Sequence, residues 1–211
     1  MNKGLWNTCV LLTLGVLVPL VAVSAAPRIS LEVDIGLEER TLRGVEEVEF
    51  DAGRTSVYFL LYANLEKERN PYLSDREIDA RYPNGHEPAS TAIEAVESVQ
   101  SAGVTGLAFR LLDLPPAFQT YSLARSVLAV DLPDETEGRQ RLRIRFVTQI
   151  PRVATGDQGL DRGILTWRFG WYPLLLSHQE AWEEVDGVLQ RADGGFPLEF
   201  AALDISALIL V

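Results

Sequence analysis

Between Arg141 and Pro151 the sequence RLRIRFVTQIP sets Leu142, Ile144, Phe146, Thr148 and Ile150 on one parity and Arg141, Arg143 and Arg145 on the other. Successive side chains of a strand point to opposite faces, so this alternation predicts a β-strand with one dry and one wet face. Phe146 is expected to point at the core. Pro151 has no N–H to give to a ladder, so the strand should stop there or run along an edge. The next stretch, Ile164 to Pro173 (ILTWRFGWYP), puts Trp167, Phe169 and Trp171 on one parity. That spacing predicts a neighbouring strand with three rings on one side, each ring burying roughly 150–250 Å².

A core of this kind fits the size of the chain. Its 211 residues suit a single all-β domain, or one domain plus a leader, and 47% apolar with 9% aromatic residues are globular values. The formal charge of −11 argues against nucleic acid, whose phosphates call for a basic face.

The first 25 residues read as a signal peptide. Lys3 supplies a short positive region, Val10 to Val23 (VLLTLGVLVPLVAV) is the apolar region, and Val23-Ser24-Ala25 places small residues for cleavage after Ala25. The competing reading is an uncleaved anchor, but the apolar stretch from Val10 to Ala26 contains Pro19 and is shorter than the roughly 20 residues needed to span a bilayer. Cys9 is the only cysteine and lies within the leader. The domain expected over residues 26–211 would therefore be exported, to the periplasm or the extracellular space, and stable without disulfides. Contact with a membrane is expected only if the leader stays uncleaved.

From Ile29 onward the chain reads as strands and turns. Ile29, Leu31, Val33, Ile35 and Leu37 alternate with polar residues, and Glu38-Glu39-Arg40 turns the chain. Thr41 to Phe50 returns as a second strand, where Gly44 and the mixed parity around Glu46-Glu47 suggest a bulge. Val57 to Tyr62 is apolar on both parities, as in a strand covered on both faces. Further strands are expected at Ile93–Val99, Leu107–Leu112, Ser126–Leu132 and Phe200–Val211. The fold class is all-β, a saddle-like sandwich of mostly antiparallel strands preceded by the signal-peptide helix. No helix longer than a turn or two is expected, apart from a weak candidate over Gln179–Arg191 interrupted by Gly187.

Two places invite a functional reading. The long polar insertion Ala63–Ala89 has the length of a functional or self-packed loop. Its triplet Asp75, Glu77, Asp79 suggests calcium, but Ala80 stands where the EF-hand glycine belongs and His86 where the twelfth-position glutamate belongs. Solvated carboxylates paired with Arg76 and Arg81 are the favoured reading. His178-Gln179-Glu180-Ala181-Trp182 resembles the H-E-x-x-H zinc motif, yet Gln179 replaces the glutamate and Trp182 the second histidine, and His86 is the only other histidine. A surface histidine is the favoured reading. No phosphate loop, nucleophile elbow or triad stands out, and no catalytic, cofactor-binding or metal-ligating residue is assigned.

The ordered segments Leu42-Arg43-Gly44, Leu60-Leu61-Tyr62-Ala63-Asn64, Asn70-Pro-Tyr-Leu-Ser-Asp75, Tyr82-Pro-Asn-Gly85, Trp171-Tyr172-Pro173 and Phe196-Pro-Leu-Glu-Phe-Ala201 together resemble the amino-terminal β domain of bacterial aminopeptidase N-like zinc metallopeptidases. The resemblance covers about Ile29 to Val211. It implies a saddle-shaped domain that scaffolds access to a following zinc-bearing catalytic domain with an H-E-x-x-H motif. That motif is absent here, so the resemblance carries no catalytic residue onto this sequence. It implies a truncated or non-catalytic piece with zinc only in the missing domain, which would be its partner. The competing expectation is a freestanding exported β-sandwich binding module for carbohydrate or protein, reading its ligand through the Ala63–Ala89 loop and exposed aromatics.

Overall fold

A computed structural model describes residues 26–211, leaving out 53–54, 71–72, 84, 116–123, 134–137, 153–157, 162–163, 168–169, 192–203 and 211. The signal peptide expected at 1–25, Tyr72, Phe169 and the segment from Phe196 to Ala201 lie outside the described residues.

The architecture is an all-β sandwich of mostly antiparallel strands. Its strands are β1 (Arg28–Gly36), β2 (Thr41–Ala52), β3 (Ser56–Leu60), β4 (Ser90–Gln100), β5 (Gly103–Gly106), β6 (Phe109–Leu112), β7 (Val127–Asp131), β8 (Gly138–Gln149), β9 (Gln158–Asp161), β10 (Ile164–Trp167), β11 (Leu174–Leu175), β12 (Trp182–Val185), β13 (Val188–Arg191) and β14 (Asp204–Leu210). One sheet has the order β14-β1-β2-β8-β4-β5, the other β11-β3-β7-β6, and β9–β10 and β12–β13 form two separate hairpins. Among the described residues the strand pairings are antiparallel except β14 on β1, and one isolated parallel bridge joins Asp113 to Val188.

The alternation of β8 is realised as read. Leu142, Ile144, Phe146 and Thr148 are buried, the arginines take the other face, and the strand stops at Gln149, two residues before Pro151. β1 behaves likewise, with Ile29, Leu31 and Val33 inward, while Leu37 falls in the turn and is exposed. These residues meet Val57, Phe59, Leu128 and Val130 of the second sheet in the main core. Each large apolar side chain so buried contributes roughly 1.5–3 kcal/mol.

β3 is covered on both faces, as its unbroken apolar run implies. Val57 and Phe59 face the main core, whereas Tyr58 and Leu60 face a second cluster with Val127, Ala129, Trp182 and Leu189. The lid over that second face is the β12–β13 hairpin, where a weak helix was expected. Only Gln179–Ala181 forms a short 3₁₀ turn; the chain then becomes a strand. The reason is Asp186-Gly187, whose φ values of 51° and 78° form the tight turn that a hairpin needs and a helix cannot accommodate. Arg110 on β6 clamps this lid, reaching Glu184 at 2.6 Å and Asp131 of β7 at 2.5 Å.

Two further expectations are corrected. The Ile164–Pro173 stretch is not one strand. β10 ends at Trp167, and Gly170 with φ of 72° turns the chain where a Cβ would meet the Tyr62 side chain at 2.4 Å. Trp167 and Trp171 still pack against the core, half-buried, but from different backbone segments. Nor is there a bulge in β2. Its pairing with β1 and β8 runs without a register shift, so Gly44 and Glu46 keep inward parity. The irregularity lies in β4, between Ile93 and Ala95.

Candidate functional site

The wet face of the six-stranded sheet is built by β8 and its two neighbours. Antiparallel pairing sets Arg141 opposite Glu49 and Arg143 opposite Glu47, and on the other side Arg143 opposite Glu97. Side chains directly opposite on one face are within bonding reach. Arg143 donates from Nε and Nη2 to Glu47 Oε1 at 2.9 and 2.7 Å. Arg141 donates through Nε to Glu49 Oε1 at 2.7 Å, and Arg139 approaches the other Glu49 oxygen at 3.4 Å. Arg145 reaches Glu97 at 3.3 Å. The hydrogen bonds from Arg141 hold the Glu49 carboxyl below its usual range, and Glu47 holds the Arg143 guanidinium above its own. The arginine column is thus a neutralised ladder, not a basic patch.

At the end of this ladder a cleft of about 640 Å³ opens beside the β4–β5 turn, lined by Glu49, Val99, Gln100, Ser101, Arg139, Gln140 and Arg141. Glu49 and Asp51 balance Arg139 and Arg141, with Asp51 3.9 Å from Arg139. The lining therefore offers planar amides and guanidinium groups, one hydroxyl, one carboxylate and the apolar Val99, and Asp51 just outside it offsets the one excess positive charge. Such groups donate and accept in fixed planes, which suits a ligand carrying many hydroxyls. Ser101 is the one hydroxyl in the lining, and no histidine lines the cleft beside it.

The residues singled out in the sequence lie elsewhere. The Ala63–Ala89 insertion is folded onto the sandwich: a 3₁₀ turn over Tyr62–Glu66, then a helix α1 (Asp75–Arg81), with Leu65 buried in the second core cluster and Ile78 and Tyr82 also buried. Asp75 and Glu77 serve that helix. Ser74 and Glu77 form a reciprocal capping box, and Asp75 pairs with Arg69 in place of the expected Arg76. His86 packs edge-on against Tyr82, and burial together with the Arg69 charge holds its imidazole below the usual range. His178 is exposed, 3.5 Å from Glu180. Among the described residues no three His, Cys, Asp or Glu side chains are grouped to hold a metal ion.

Gln179 has a different use from the one its motif position suggests. Its amide accepts from Tyr58 N at 2.9 Å and donates to Tyr58 O at 3.0 Å and Leu176 O at 2.7 Å. It continues the β11 ladder along β3 by one side chain. Asn64 does the same for β4, accepting from Thr91 N at 2.7 Å and donating to Thr91 O at 3.1 Å.

Sequence reasoning missed the cleft, because Gln100, Ser101 and Arg139 belong to segments far apart in the chain. The signal that could have found it is the arginine parity of β8 continued back to Arg139, facing the glutamates of β2.

No protein-family model and no curated protein matches this chain. Among solved structures, a family IIIa cellulose-binding domain from Clostridium cellulolyticum aligns over 85% of this chain and 97% of its own, with 10% identity and a TM-score of 0.28. A likeness that faint carries no argument about ligand or mechanism.

Proposed function

We propose that this chain is an exported β-sandwich binding module that takes a neutral, hydroxyl-rich ligand, a carbohydrate, in the cleft beside Arg139 and Arg141. The observation that carries this reading is the charge balance of that cleft: Glu49 pairs with both arginines and Asp51 beside Arg139 offsets the second positive charge, leaving directional donors and acceptors with little net charge to attract anions. The overall charge of −11 disfavours polyanions in the same direction. Titration calorimetry with neutral oligosaccharides should show saturable binding that Gln100→Ala and Arg141→Ala weaken about tenfold or more, the size of one or two lost hydrogen bonds. Undiminished binding by both variants would place the ligand elsewhere.

A second reading, carried by the sequence resemblance alone, is the scaffold of an aminopeptidase N-like zinc peptidase. β14 lies parallel to β1 as an outer strand, and no strand pairs with its far side among the described residues. This reading expects an H-E-x-x-H-encoding frame in the coding sequence beyond Val211, and no peptide hydrolysis by the purified chain. Zinc-dependent release of amino acids by that chain would overturn both readings.

A further inference from the structure

Glu46 is fully buried on the inner face of β2, and neither carboxyl oxygen has a hydrogen-bond partner. Its cross-strand neighbours are Leu31 on β1 and Ile144 on β8, and Val96 of β4 follows in the same row. The facing sheet contributes Phe59 and Leu128 to the same core. No cation lies among these. Among the described residues, the titratable group that feels its charge is the phenol of Tyr172, which burial and then the nearby Glu46 charge push above its usual range.

The Tyr172 segment is fixed in place. Thr148 Oγ1 donates to Trp171 O at 2.9 Å, so its only proton is used, and Thr91 must supply the proton of the 2.7 Å contact between the two threonine hydroxyls. These two threonines are engaged with each other and with Trp171, and neither is a hydrogen-bond partner of Glu46.

An ionised carboxylate in such a place would forgo solvation with nothing to replace it, a penalty large enough that the group takes up a proton instead. We infer that Glu46 is a proton switch built into the sandwich: the two sheets close over it as a neutral carboxylic acid, and its ionisation loosens them. Burial drives its titration well above the ordinary carboxyl range in the same sense.

The sign follows from linkage. Below the unfolded value, near 4.5, both states carry the proton and folding is unaffected. Above it the unfolded chain has lost the proton and the folded chain keeps it. The folding equilibrium therefore falls about tenfold per pH unit until the raised folded value is passed.

Two measurements test this on the intact chain. Unfolding the wild type by denaturant at neutral pH in a weakly buffered indicator solution should release about one proton per chain that Glu46→Gln does not release. Across the same pH range, the ratio of the folding constants of Glu46→Gln and wild type should climb about tenfold per unit. Equal proton release and parallel pH profiles for the two proteins would overturn the inference. Should Glu46→Gln fail to fold, the infrared carbonyl band of a protonated carboxyl in the wild type at neutral pH decides instead: its presence upholds the switch, its absence removes it.

Discussion

Gln179 hydrogen-bonds both the N–H and the C=O of Tyr58, at 2.9 and 3.0 Å, so a side chain 121 positions away completes a strand ladder. β11 pairs with β3 through Leu174 and Leu175 only, and Leu176 adds one bond from its N–H to Tyr58 O. Beyond that point the edge of β3 would be bare. An exposed strand edge invites pairing with another chain, and an amide side chain closes it without adding a strand.

Gln179→Glu should therefore destabilise the domain by about 2–3 kcal/mol, more than Gln179→Ala. A carboxylate has no proton to donate to Tyr58 O or Leu176 O and sets its charge against both carbonyls, whereas alanine lets water reach the edge. Lowering the pH should narrow the difference, because a protonated glutamate recovers one donor. Denaturant midpoints of the two variants check it, and a glutamate variant as stable as wild type would show that the plug carries no weight.

Gly44 yields a second prediction. It pairs with Phe146 across β2 and β8, and the Phe146 ring lies over the space where a side chain would stand. A Cβ there would sit 2.2 Å from Phe146 Cζ, well inside contact distance, and Phe146 is itself only 1% exposed. Gly44→Ala should cost about 2 kcal/mol or more through overpacking. Phe146→Leu alone should cost about 1–2 kcal/mol for lost burial, but combined with Gly44→Ala it should recover stability relative to Gly44→Ala. Additive losses in this double-mutant cycle would mean that the two positions do not share the space.

The same pair shows how far the sequence could be read. The period-2 patterns of β1 and β8 declared their inner faces, and the unbroken run at β3 declared a strand covered on both sides. The fold class followed from these local signals. Glu46 was misread for the same reason: an acidic residue at inner parity contradicts the pattern, and a bulge beside Gly44 is the inexpensive way to turn it outward. The fold instead keeps the register and buries the carboxyl. The bulge that does exist was legible in β4, where the inward residues Ile93 and Val96 are an odd number of positions apart. The cleft and the two amide plugs were not legible, because Gln179 with Tyr58, and Arg139 with Ser101, are joined only by tertiary folding. His178-Gln179 attracted a metal reading because short motifs ignore what the intervening side chain is bonded to.

Acid and alkaline limits of stability should have different owners. Glu49 is held below the usual carboxyl range, first by the Arg141 hydrogen bonds, so the folded state binds fewer protons there than the unfolded chain. Its contribution is present above the ordinary glutamate value and is lost as the pH falls through the lowered folded value. Glu46 acts in the opposite sense, its contribution being complete in acid and declining as the pH rises. Denaturant midpoints taken from acid to alkaline pH should therefore pass through a maximum in the mildly acidic range. Arg141→Met should flatten the acid limb and leave the alkaline one, because methionine keeps the strand's side-chain bulk but cannot hydrogen-bond Glu49. Glu46→Gln should flatten the alkaline limb and leave the acid one. The two residues stand on opposite faces of β2, separated by the backbone of the sheet, so their effects should add in the double variant. A single substitution that flattened both limbs would show that one shared transition, and not two separate titrations, sets the pH range in which the sandwich holds together.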